Sequence, residues 1–265
     1  MRFRSGDLGG GKLLNKLHSL FIRLRDYMVE RRLAGMTEEQ RFSLIYKAGY
    51  WKGKVDGSLS GEGSSLEATA NIRRELPGCI GRNNICTMLD VPCGDWYWMS
   101  RVEMPSVHYI GGDIVEGLVR ENQRRHGSPG REFRKVDLIA DRLPCVDLIF
   151  VRDCFVHLET EQITTCLRNI VKSGSTYLAT TTFTDVLENG PPVVKDRWRA
   201  LNMLLPPFSF PPPLEMLDDR FASNPADRNK YMGVWRISDL AALFGDAQEV
   251  ANGEQGAFVQ SGAVT

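Results

Sequence analysis

Two rhythms of apolar and polar positions run along this chain. Over residues 85–183, short apolar runs alternate with amphipathic ones. The runs at 85–91, 107–114, 132–136, 144–151 and 176–183 have the length of strands. Those at 85–91 and 144–151 are almost wholly apolar, as strands covered on both faces must be. Between them stand helical patterns beginning at 96, 115 and 159, the last closed at Ser173 and Gly174. Strands alternating with helices across ordinary connections predict a doubly wound α/β sheet, mostly parallel. A further helix is predicted over 237–244, and 247–251 with 257–261 offer an antiparallel strand pair.

Before residue 80 the period is helical. Leu13, Leu17, Leu20, Phe21, Leu24 and Met28 recur at three- and four-residue steps and predict a helix over 13–33. The basic, glycine-containing stretch 1–12 is read as disordered. Thr37 and Gln40 frame a capping box for a helix running to Trp51, and Ser64 with Glu67 frame another for a helix ending at Pro77. The small-residue loop 58–65 lies between them. This divides the chain into N-terminal helices over 1–80 and a core over 81–265. Within the core, 184–236 is too long for an ordinary loop and reads as an insertion. Its stretch 205–213, with five prolines, is stiff and extended, and reads as part of a substrate-side wall.

Charge narrows the possible functions. Lys+Arg and Asp+Glu both number 33, so the basic excess of a nucleic-acid binder is missing. Six cysteines form no C-x-x-C pair and fall mostly in apolar runs, which points to buried thiols in a reducing compartment such as the cytoplasm. No apolar run approaches the roughly 20 residues that span a bilayer, and charges interrupt 13–33 too often for a cleavable leader. Arg23, Arg25, Arg31 and Arg32 leave open a peripheral membrane contact through 13–33, against a helix that covers the domain or a partner. Oligomeric state is not legible.

The candidate chemistry gathers at strand ends. Asp90 stands at the carboxyl end of the first strand, where open α/β sheets place their ligand crevice. Pro92 ends the ladder, Gly94 lets the backbone turn close to a ligand, and Asp95 can cap the helix predicted from 96. Asp113, 23 residues after Asp90, ends the second strand, where an acid can accept both ribose hydroxyls of an adenosine ligand. That spacing also occurs in dinucleotide folds, and a helix-capping aspartate is the structural alternative. Arg152, Asp153 and His157 follow the fourth strand; His157, alone or paired with Asp153, could serve as a base near working pH. The competing reading is a capping aspartate and a structural histidine. Trp198, Arg199, Tyr231, Trp235 and Arg236 are aromatic and guanidinium groups suited to a polar or anionic organic substrate. No metal-ligand spacing, Ser/His/Asp order or phosphate loop is present.

The strand and turn 85–96 resemble the first motif of class I S-adenosylmethionine-dependent methyltransferases, with Pro92 and Trp96 where that family often has glycines. The resemblance covers about residues 58–245. It implies a Rossmann-like methyltransferase fold with an N-terminal helical cap, S-adenosyl-L-methionine as cofactor, and no metal. Asp90, Pro92, Cys93, Gly94 and Asp95 would form the turn, Asp113 and Ile114 would meet the ribose, and Asp137 and Leu138 the adenine. Ser60 and Ser64 would belong to a segment covering the cofactor. The 60–64 loop and the Trp198, proline-rich and Trp235 segments resemble a bacterial-type subgroup associated with surface-polysaccharide modification. The expected activity is methyl transfer to an oxygen or nitrogen of a small molecule or saccharide-type acceptor. Two alternatives stand beside it. One is a non-catalytic cofactor-binding or scaffold protein on the same fold. The other is a nicotinamide-dependent oxidoreductase, which Pro92 and Trp96 disfavour because a pyrophosphate needs exposed amides and a close approach.

Overall fold

The computed structural model describes residues 35–49, 51, 57–191 and 198–245. The helix expected over 13–33, the stretch 1–12 and the strand pair expected at 247–251 and 257–261 lie outside the described residues.

Seven strands form one sheet: β1 (Thr87–Asp90), β2 (His108–Asp113), β3 (Arg131–Lys135), β4 (Leu148–Val151), β5 (Tyr177–Phe183), β6 (Glu215–Asp218) and β7 (Lys230–Arg236), in the order β3-β2-β1-β4-β5-β7-β6. The first five run parallel; β7 is antiparallel to β5, and β6 to β7. The helices are α1 (Glu38–Lys47), α2 (Ala70–Arg82), α3 (Glu116–His126), α4 (Thr160–Lys172) and α5 (Ile237–Phe244). The fold is therefore the doubly wound, mostly parallel α/β sheet that the alternation predicts.

The apolar runs are explained by two-sided burial. Along β4, Leu148 and Phe150 pack in one core with Ile72 and Leu76 of α2. Ile149 and Val151 face the other core, with Ile163 and Leu167 of α4 and Leu240 of α5. Each fully buried apolar side chain contributes about 1.5–3 kcal/mol, so a polar residue at any of the four positions would break the central strand. Strand order reverses between β1 and β4, which opens a crevice at their carboxyl ends.

Several elements differ from the sequence pattern. No α-helix follows β1, only a single turn at Met99–Arg101, because Trp96 adopts φ +56° and cannot start a right-handed helix. α2 begins at Ala70 rather than at Ser64, whose hydroxyl donates to the Ser60 carbonyl instead of capping. It then runs through Pro77 to Arg82, tolerating the lost intrahelical bond. α1 has the expected Thr37–Gln40 capping box but stops at Lys47, short of Trp51. The segment 184–236 supplies β6 and β7, so the antiparallel edge precedes α5.

Candidate active site

A cleft of about 520 Å³ opens over the carboxyl ends of the parallel strands. One end is lined by Asp113 after β2 and Asp137 after β3, and the middle by the turn after β1. The other end is lined by Arg152, Asp153 and His157 after β4, and by Asn224, Asp227 and Lys230 from the β6–β7 connection. Tyr46 of α1, Trp51 and the loop at Ser60–Ser64 line its outer wall.

That wall is tied down by named contacts. Glu39 pairs with Lys135 at 2.7 Å, and Glu38 accepts from Gln162 Nε2 at 3.0 Å. Arg41 pairs with Glu38 and reaches the His157 carbonyl at 3.4 Å. Asp95, expected as a helix cap, holds the loop instead. Its carboxylate accepts from Leu59 N at 2.5 Å, Ser58 Oγ at 3.3 Å and Ser60 Oγ at 2.9 Å. Gly94 sits at φ +55°, and a Cβ there would lie 2.5 Å from Ser60 Oγ, so the turn and the loop touch only because residue 94 lacks a side chain.

The turn's amides are all engaged. Cys93 N donates to Gly112 O at 2.7 Å, Gly94 N to Asp113 Oδ2 at 3.1 Å and Asp95 N to Ser60 Oγ at 2.9 Å, while Pro92 has no amide hydrogen. Carboxylates dominate this region. Asp90, which accepts from the Tyr109 hydroxyl, is pushed up to about 7: burial outweighs that bond, and the Asp113 charge adds to it. Asp113 is pushed up to about 6, again by burial, although amides of Val115 and Gly94 oppose the shift. Asp137 accepts from Ile139 N at 2.8 Å and Ala140 N at 3.3 Å.

At the β4 end, Asp153 takes φ +53°, a turn out of the strand that an aspartate tolerates better than a branched residue. Its amide donates to Thr181 Oγ1 at 2.9 Å, and its Oδ2 receives Lys230 Nζ at 2.6 Å and lies 3.2 Å from Arg152 Nη1. Burial alone would raise this carboxyl; Lys230 and Arg152 reverse that and hold it down to about 2. Arg152 is buried and grips Asp219 with two bonds, Nε to Oδ2 at 2.9 Å and Nη2 to Oδ1 at 3.0 Å. It also donates to the Gly63 carbonyl at 3.0 Å and lies over Trp98, 5.2 Å from the ring centroid. The His157 ring packs at 5.4 Å from that of Trp51.

Every residue expected on the cofactor side lines the cleft, as do Arg152, Asp153, His157 and Trp198. Four expected substrate residues do not. Trp235 is buried, its indole donating to Pro211 O at 2.7 Å and its ring edge-on to Phe210. Tyr231 lies under Arg220 on β7, and Arg236 is exposed at that strand's end. Arg199 is buried beside α4, where its Nη2 meets Thr160 Oγ1 at 3.4 Å and burial lowers its pKa. Its Nε and Nη1 have no hydrogen-bond partner among the described residues. The sequence reading missed Asp219, Asp227 and Lys230. The one local signal was a lysine opening the apolar run of β7, where a buried charge requires partners.

Among the described residues, no group of His, Cys, Asp and Glu could hold a metal ion, and no helix is long and apolar enough to cross a membrane.

No family model matches the chain, and no curated protein does. Solved structures do. Human N-acetylserotonin methyltransferase in complex with SAM aligns at TM-score 0.53 and 12% identity, covering 78% of this chain and 61% of that one. Mitomycin 7-O-methyltransferase MmcR aligns at TM-score 0.50 and 14% identity, covering 67% and 56% respectively. The chain spans less than two thirds of either protein, and at such identity the likeness is one of fold. With its sheet order, its crevice at the β1–β4 switch point and these alignments, the chain has the fold of the class I S-adenosylmethionine-dependent methyltransferases.

Proposed function

We propose that this chain transfers a methyl group from S-adenosyl-L-methionine to an oxygen or nitrogen of a small-molecule or saccharide-type acceptor. The observation that carries the reading is the turn after β1, which offers a ligand carboxylates and no free amide. A nicotinamide dinucleotide brings a diphosphate, which would meet Asp90, Asp95 and Asp113 with no unengaged donor from residues 92–95. S-adenosylmethionine brings a sulfonium and an ammonium, which that acidic lining favours.

On this reading Asp113 accepts the ribose hydroxyls through lone pairs that its two amide donors leave unused. Asp137 and Leu138 stand at the adenine end, and Asp90 and Gly94 at the middle of the ligand. Ser60 and Ser64, held down through Asp95, close the outer wall against water. When bound, the cofactor supplies an already activated methyl group. The chain's own task is then to align the acceptor and exclude solvent. Asp153, fixed as an anion by Lys230 and Arg152, anchors the acceptor end of the cleft. His157, packed against Trp51, lines the cleft on the α1 side. Trp198 contributes a wall of the acceptor end.

The test is incubation with a methyl-labelled donor and a panel of hexoses, aminohexoses and phenols. Label in a product supports transfer. A chain that binds the donor yet labels none of them is a cofactor-binding scaffold instead.

A further inference from the structure

We propose that Asp227 is the group that takes the proton from the acceptor. This rests on the methyl-transfer reading and adds to it a residue outside the strand-end positions.

Position comes first. The cleft runs across the sheet from Asp137 and Asp113 at one end to the β6–β7 connection at the other. With an adenosine at the first end, the acceptor is left with the second, where Asp227 lines the wall beside Asn224 and Lys230. Asp227 is held there by a short turn at Pro225–Asp227 capped by the Asn224 side chain, with the Asp227 amide bonded to the Asn224 carbonyl at 3.0 Å.

Charge pairing comes second. Two buried cations, Arg152 and Lys230, meet two carboxylates, Asp153 and Asp219. The contacts are Arg152–Asp219 at 2.9 Å, Arg152–Asp153 at 3.2 Å, Lys230–Asp153 at 2.6 Å and Lys230–Asp219 at 3.3 Å. That set is neutral in itself. Asp227 is a third carboxylate, 8% exposed, with no ion pair among the described residues. Its Oδ2 accepts from Asn224 Nδ2 at 2.9 Å, and its Oδ1 has no hydrogen-bond partner among the described residues. The two acids at this end therefore have opposite character. Asp153 is locked as an anion by its cations and is a weak base. Asp227 is made more basic by burial, with Asp153 and Asp219 adding to that and Lys230 opposing it.

In the step, the oxygen of an acceptor hydroxyl forms the bond to the methyl carbon of the sulfonium donor. The carbon–sulfur bond breaks with its electron pair remaining on sulfur, and the hydroxyl proton passes to Asp227. For an amine acceptor that arrives as an ammonium, the same carboxylate takes one ammonium proton, and its loss frees the nitrogen lone pair that attacks the methyl carbon.

Asp227→Asn keeps the size and the contact with Asn224 but cannot take a proton. Its rate of label transfer in a single turnover should fall by about 10²–10⁴-fold, the usual contribution of a positioned base. S-adenosylhomocysteine affinity, measured by calorimetric titration, should stay at the wild-type value. Asp227→Glu, which restores a carboxylate, should recover a large part of the rate, and it serves if the asparagine variant fails to fold. Wild-type rates in Asp227→Asn would overturn the proposal. So would a loss of S-adenosylhomocysteine affinity matching the loss of rate, which would place Asp227 against the donor. A wild-type protein that labels nothing in the panel overturns the methyl-transfer reading itself, and this proposal with it.

Discussion

Replacing Asp90 by Asn should change how the stability of the ligand-free protein depends on pH. Asp90 is 3% exposed at the end of β1, and its carboxyl is raised to about 7, against roughly 3.9 in an unfolded chain. The folded state therefore keeps this proton to higher pH than the unfolded state does. An acid shifted this way costs nothing below about pH 4; its penalty grows through the window up to about 7 and is complete above it. At about 1.4 kcal/mol per unit, three units correspond to roughly 4 kcal/mol, of which a denatured state with residual structure returns part. Asn keeps an oxygen for the Tyr109 hydroxyl and never ionises. Because roughly 1.5 kcal/mol of that penalty is already present at pH 5, urea denaturation at pH 5 and pH 8 should show the variant gaining about 2–2.5 kcal/mol on wild type between the two pH values. The constant cost of an imperfectly bonded amide shifts both points equally and drops out of that difference. The same variant should bind S-adenosylmethionine more weakly at pH 8, because the negative charge facing a cationic ligand is gone. Wild-type and variant stabilities that run parallel between pH 5 and pH 8 would refute the assignment of Asp90 as a buried carboxyl ionising at the cleft.

Two further substitutions probe the frame of the site. Asp113→Ala should leave the chain folded by circular dichroism but lower S-adenosylhomocysteine affinity at least about tenfold, since each lost charge-assisted bond is worth roughly 1.5–3 kcal/mol; unchanged affinity in a calorimetric titration would remove Asp113 from the site. Arg152→Met should destabilise by about 3–5 kcal/mol in urea, because it leaves the fully buried Asp219 without its two-bonded partner and the Gly63 carbonyl without a donor. An Arg152→Met protein of wild-type stability would show that Lys230 alone satisfies Asp219.

The parts of this molecule legible in its sequence are those set by local rules. The period of β1 and β4 reflects burial on both faces, so their apolar runs could be read directly, and Asp90 and Asp113 came with them because the ends of such runs are where crevices form. The Thr37 capping box is satisfied within four residues and was equally readable. The charge cluster was not. Arg152 meets Asp219 and Asp153 meets Lys230 across 67 and 77 residues, and each alone looks like an ordinary polar residue near a turn. Trp235 and Tyr231 suggested a substrate wall by residue type, but they share one face of β7, where Trp235 is buried against Phe210 and Tyr231 lies under Arg220. Pro77 looked like a helix end because a proline removes one bond, yet Leu76 and Cys79 on either side are fully buried and hold α2 together.

The claim at the centre of this account is that the acidic, amide-poor turn after β1 binds S-adenosylmethionine and not a dinucleotide. Calorimetric titration of the full chain with S-adenosylhomocysteine and, separately, with NADH tests it most directly. The account predicts saturable one-site binding of S-adenosylhomocysteine, abolished or strongly weakened by Asp113→Ala, and no heat from NADH. Saturable NADH binding with none of S-adenosylhomocysteine would contradict it.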